Sequence, residues 1–166
     1  MNPVDDGNCF GCGQRSEIGL KMRFDEQSDG TVESRLTLSR RYQGWRGFVH
    51  GGIVALLLDE GMAYAAAARG QRGVTADLKM RFRRPVPVGE LLVVRGKVLW
   101  QRRNVLGVEA SVRDASGKLL ASGQGSFVAR GRLAPGQRLG EPQDAAYACA
   151  ATDGASASEP GLDLGG

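Results

Sequence analysis

The chain holds one histidine, His50, and two glycines follow it directly, Gly51 and Gly52. They open a run, residues 51–69 (GGIVALLLDEGMAYAAAAR), that is rich in Ala and Leu and apolar on nearly every face. A helix without a polar side is a buried one. Its first N–H groups have no intrahelical partner, and its dipole favours negative charge at that end. Glycine lets another backbone or a ligand come close to those groups. The combination makes a site for a carbonyl oxygen that becomes an oxyanion during acyl transfer. The same residues also describe a plain helix entry, with the histidine satisfied by a hydrogen bond and the glycines forming a turn. His-Gly-Gly alone does not decide between the two.

Asp59 and Glu60 bring the second kind of chemistry, being the only acids in this apolar helix. An unpaired buried carboxylate is costly, so one that persists needs a partner or a task. Helical spacing puts Asp59 on a face with Gly52, Ala55, Leu56, Met62, Ala63 and Ala66, and Glu60 with Ile53, Leu56, Leu57 and Tyr64. Glu60 is read as paired with arginines from surrounding strands or from a partner subunit, and Asp59 as the acid kept for chemistry.

The elements that must position these groups show as period-two alternation. In residues 75–83, Ala76, Leu78, Met80 and Phe82 face one way, and Asp77, Lys79, Arg81 and Arg83 the other. In residues 105–113, Leu106, Val108, Ala110 and Val112 alternate with Gly107, Glu109, Ser111 and Arg113. Residues 91–100 and 118–129 read as further strands, with turn chemistry at residues 114–117. Residues 19–25 and 31–38 predict a hairpin across Ser28-Asp29-Gly30. Strand, strand, buried helix and four closely linked strands imply an α+β fold, an antiparallel sheet curled around one long central helix.

A chain of 166 residues, 42% hydrophobic and 24% charged, is one ordinary globular domain with extras. From Gly131 onward there is no Ile, Val, Phe, Met or Trp, while three of the six prolines fall there. Residues 131–166 are therefore expected to be a disordered tail, and residues 1–130, with a core from about residue 8, the domain. That tail carries a net −3, which leaves +7 on the rest of a chain whose formal charge is +4. A basic body suits an anionic partner such as a nucleotide-bearing thioester or a nucleic acid, and equally a surface that is merely rich in arginine. No apolar stretch approaches the ~20 residues of a membrane span, and no export signal is legible, so a cytoplasmic location without membrane contact is expected. Cys9 and Cys12 have the spacing of half a zinc site or a redox pair. With only Cys149 and His50 left to complete it, the two are read as reduced and structural, and neither a metal nor a cofactor is assigned.

Residues 43–60 (QGWRGFVHGGIVALLLDE) and 74–87 (VTADLKMRFRRPVP), with the opening CFGCG and GLKMRF, resemble the PaaI-type branch of hotdog-fold acyl-CoA thioesterases. The resemblance spans essentially the whole domain and implies hydrolysis of an acyl-CoA to free acid and CoA. It implies Asp59 as general base or nucleophile, the Gly51 N–H as oxyanion donor with Gly52 beside it, and His50 as the holder of the thioester carbonyl or of the loop. Thr75 falls at a hydroxyl position that assists water or Asp59. It also implies a homodimer or homotetramer with its sites between subunits. The Asn that many relatives carry before the histidine is missing, and Gln43 is the substitute offered here.

Arg83 and Arg84 are placed against the phosphates of coenzyme A, for which arginine forks are suited, although a solvated charged face explains either one singly. Two other readings stand beside hydrolysis: a non-catalytic acyl-CoA-binding module, and a hotdog hydratase or dehydratase. No nucleic-acid partner is expected, because the aromatic interleaving of single-strand binders is missing.

Overall fold

The computed structural model describes residues 5–142. Its strands are β1 (Asp25–Glu26), β2 (Val32–Thr37), β3 (Gln71–Phe82), β4 (Leu91–Arg102), β5 (Val105–Asp114) and β6 (Leu119–Arg132), and its helix is α1 (Gly51–Ala67). The strands form one antiparallel sheet in the order β1-β2-β4-β5-β6-β3. The sheet wraps around α1, whose Val54, Leu57, Leu58 and Met62 are buried against it, as the apolarity of the run predicts.

His50 starts the helix. Its backbone is extended, and its Nδ1 accepts the Gly52 N–H at 3.0 Å, which satisfies one of the orphan donors of the first turn. At the other end Gly70 takes a positive φ of 69°, and its N–H returns to the Ala67 carbonyl at 2.7 Å, closing the helix and releasing the chain into β3. In its middle, α1 lies against β4 at two residues without side chains. A Cβ on Gly96 would land on the carbonyl of Gly61, and one on Gly61 would meet Ala110 Cβ at 3.2 Å.

The alternation in β5 holds: Leu106, Val108, Ala110 and Val112 are all buried. In β3 it holds at Leu78 and Met80, which pack on the core, and fails at both ends. The register shifts between Thr75 and Asp77, and a bulge leaves Ala76 exposed. Phe82 is 57% exposed and stands beside Gly51 instead of entering the core.

The first hairpin is present but its leading strand is not 19–25. Only Asp25 and Glu26 pair with β2, because the Leu20 and Met22 N–H groups go to the carbonyls of Phe10 and Gly11 at 2.9 and 3.0 Å. The segment thus tethers the Cys9–Cys12 loop, and Met22 and Phe24 bury their side chains in the core, Phe24 stacked on Tyr64 of α1.

The expected boundary at residue 130 also shifts. Gly131 and Arg132 belong to β6, and residues 133–142 fold back over the N-terminal segment, whereas residues 143–166 lie outside the described residues. Tyr64 Oη donates to the Leu139 carbonyl at 2.8 Å, and the Gly140 N–H donates to Asp5 Oδ2 at 2.6 Å. Backbone groups and one leucine dock this stretch, so its poor apolar content is a misleading guide. A chain ending at residue 132 should melt about 5–10 °C below one ending at residue 142, given roughly 2 kcal/mol for the lost contacts. Equal melting in differential scanning calorimetry would show that the docking contributes nothing.

Candidate active site

Two clusters of reactive groups flank α1, one for each of its acids. Asp59 is half-buried and points towards β3, where Thr75 Oγ1 donates to its Oδ1 at 2.6 Å. The bulge after Thr75 reorients β3 at this point. One carboxylate oxygen is thereby fixed, while Oδ2 has no hydrogen-bond partner among the described residues. A hydroxyl and a carboxylate sixteen residues apart in sequence meet here as the resemblance implies.

Glu60 lies elsewhere. It is buried at 6% exposure, and among the described residues no arginine of the surrounding strands reaches it, contrary to that part of the sequence expectation. The arginines go instead to Glu33, which Arg95 and Arg35 grip at 2.6 and 2.8 Å. Glu60 receives the Cys9 thiol on Oε1 at 3.3 Å, while its Oε2 is buried with no hydrogen-bond partner among the described residues. Burial lifts its carboxyl to about 8. Hydrogen bonding from Cys12 draws the Cys9 thiol down to about 5, and the same contact, with burial, pushes Cys12 up. The proton between Cys9 and Glu60 thus belongs to the pair. The signal for this cluster lay in the sequence as two unconnected oddities, a Cys-x-x-Cys and a surplus buried acid.

At the entry to α1, the loop before His50 is held as a small hairpin. Gln43 Oε1 accepts the Gly47 N–H at 2.9 Å, and the Gly44 N–H reaches the Phe48 carbonyl at 2.9 Å. Gln43 therefore staples the loop, with its Nε2 still free to donate. The Val49 N–H bonds the Val86 carbonyl at 2.8 Å, which ties the loop to the chain leaving β3. An open cleft of about 290 Å³ lies between Gly51, Val54, Phe82, Arg83, Arg84 and Val86. The Gly51 N–H has no acceptor among the described residues, whereas the Gly52 N–H is taken by His50. Because His50 Nδ1 accepts, the imidazole proton sits on Nε2. Arg83 and Arg84 are exposed at the rim, Arg84 with Nη1 on the Leu119 carbonyl at 3.1 Å. Within the chain, the structure brings Asp59 to Thr75 and His50 to Gly51 and Gly52, with Arg83 and Arg84 on the same cleft. It does not bring the two groups together: eight residues of helix separate Gly51 from Asp59 by about 12 Å.

A family model described as the thioesterase superfamily matches residues 46–121, which include His50, Gly51, Gly52, Asp59, Thr75, Arg83 and Arg84 but not Gln43 or the two cysteines. A thioesterase superfamily protein of known crystal structure is 32% identical, with a TM-score of 0.70, covering 77% of this chain and 67% of its own. The chain belongs to the thioesterase superfamily. Thioesterases of this superfamily are thioester hydrolases, and the single helix cradled by a six-stranded antiparallel sheet is their hotdog fold. Human acyl-coenzyme A thioesterase 13 is 28% identical over 107 residues, 63% of this chain and 76% of its own. The Escherichia coli PaaI protein from the phenylacetic acid degradation operon shares the fold at a TM-score of 0.63 and 21% identity, covering 69% of this thioesterase and 83% of its own chain. Among the described residues, no helix of the thioesterase is long and apolar enough to cross a membrane.

Proposed function

We propose that this thioesterase hydrolyses acyl-CoA to free acid and CoA at sites shared by two copies of the chain. The observation that carries the reading is Asp59 with one oxygen held by Thr75 and the other free. In the proposed cycle Asp59 of one subunit takes a proton from water as the water oxygen bonds the thioester carbon. The carbonyl oxygen becomes an oxyanion against the Gly51 N–H of the facing subunit, with His50 Nε2–H beside it. The C–S bond then breaks, and the sulfur leaves with the proton that Asp59 had taken. The human relative's name supplies the substrate class.

The separation along α1 and the edge that β3 presents support the twofold arrangement. Among the described residues that strand has a neighbour on one side only, and Val74 and Phe82 are exposed along it. Trp45, 86% exposed at the tip of the loop before His50, adds apolar surface at the same end of the helix. A second copy covering these residues brings its own Asp59 to the amides.

A thiol-release assay over short, medium, long and aromatic acyl-CoAs tests the activity. Release from at least one class is expected, and binding without release from any would make the protein an acyl-CoA-binding module. If the rim arginines meet CoA phosphates, replacing both Arg83 and Arg84 by Ala should raise KM about tenfold and flatten its dependence on salt, kcat changing little. An unchanged KM would return both residues to the solvated surface.

A further inference from the structure

We infer that Cys9, Cys12 and Glu60 form a binding site for a thiolate-seeking divalent cation of the zinc class. Their three ligand atoms lie within 4.8 Å of one another, and among the described residues they are the only such trio of Cys, His, Asp or Glu. Zinc takes sulfur at about 2.3 Å and carboxylate oxygen at about 2.0 Å in a tetrahedron, which spaces neighbouring ligands by roughly 3.3–3.8 Å. Cys9 Sγ and Glu60 Oε1 already stand 3.3 Å apart, so small side-chain rotations complete the set.

Two features point to a ligand and not to a chance meeting of side chains. The first is Glu60, a carboxylate 94% buried, whose Oε1 faces Cys9 and whose Oε2 is an orphaned acceptor among the described residues. Leaving such an atom bare is costly, and more so when it is charged. Among the described residues no donor is bonded to Oε2, and a cation would fill that place.

The second is the backbone around it. The loop turns on itself through the Gly13 N–H and the Cys9 carbonyl at 2.8 Å. Gly11, between the cysteines, lies so near the acid that a Cβ would overlap the Glu60 carboxylate. The loop is thus shaped to cup that carboxylate, and only glycine permits it.

Two thiolates and a carboxylate suit zinc better than calcium or magnesium, which seek oxygen alone. On binding, the thiols release their protons to solvent, and the fourth position falls to a water reaching the metal past the solvent-accessible Cys9. The cysteines precede the stretch matched by the family model and Glu60 lies within it, so the site joins the N-terminal segment to the matched domain. It would clasp that segment to α1 at the residue next to Asp59.

The full-length chain, reduced, freed of metal with a chelator, reloaded with zinc and desalted, should retain about one zinc per chain by mass spectrometry of the metal. Cobalt in its place should give thiolate charge-transfer absorption and the strong visible bands of a tetrahedral centre. Cys9→Ser and Cys12→Ser should abolish both signals, and Glu60→Gln should release zinc to a competing chelator at least tenfold faster. Zinc should raise the melting temperature of the unaltered chain and not that of Cys9→Ser. Cys9 is accessible, so its variant folds even if Cys12→Ser does not. Retention of no more zinc by the unaltered chain than by Cys9→Ser would overturn the site. So would a Cys9–Cys12 disulfide in the isolated protein, with no metal taken up after its reduction.

Discussion

Asp59→Asn should release thiol from acyl-CoA about 10²–10⁴ times more slowly than the unaltered enzyme, with KM nearly unchanged. The substitution keeps the size of the side chain and an oxygen for the Thr75 hydroxyl to donate to, so the local contact at 2.6 Å has a successor. What it removes is the charge that accepts a proton from water. Thr75→Val, which only unfastens the carboxylate, should cost less, because the base survives with a looser aim. Stopped-flow thiol detection with saturating substrate separates the two. Near-normal turnover in Asp59→Asn would leave the proposed cycle without its base.

Gly51→Pro should lower kcat by about 10²–10³ through the loss of a single hydrogen atom, the N–H that faces the developing oxyanion. The first helical position accepts proline well, since its N–H has no intrahelical acceptor and its φ is already suitable. The preceding His50, at φ −61° and ψ 138°, has the extended backbone that a following proline demands. The nearest obstacle to a new Cβ is the Phe82 ring at 3.6 Å, an ordinary contact. The fold should therefore survive while the donor is lost. Co-expressing the Gly51→Pro and Asp59→Asn chains then tests whether the site is shared. In a mixed dimer one site recovers both intact residues and the other loses both, so random pairing should restore about a quarter of full activity. Were each site confined to one chain, the mixture would be as inactive as its parts.

How far the sequence leads depends on whether a feature is local. The helix was legible because seventeen residues carry their own message of apolarity, and β5 because its alternation is unbroken. The pairing of Asp59 with Thr75 came through the family resemblance, since spacing alone does not show which strand faces which turn of α1. Glu60 was misread because its partner lies 51 residues upstream. No periodicity reports a contact of that kind, and arginine was the more common answer for a buried acid. Strand β1 shrank for a similar reason: Leu20 and Met22 have good strand patterning, but their amides are claimed by Phe10 and Gly11. The same holds for residues 133–142, where backbone hydrogen bonds stand in for the missing apolar side chains.

The meeting of Gly61 with Gly96 bears on how this enzyme can be altered. Neither residue lies on the cleft, yet a single methyl group at position 96 would act as a wedge under the middle of α1. The helix would pivot on it, and Asp59, two residues before Gly61, would swing away from the position the proposed shared site requires of it. A randomised library aimed at a new acyl group would thus lose catalysts through positions that never touch substrate. Holding residues 61 and 96 fixed keeps the fulcrum in place while the cleft around Val54 and Phe82 is reshaped.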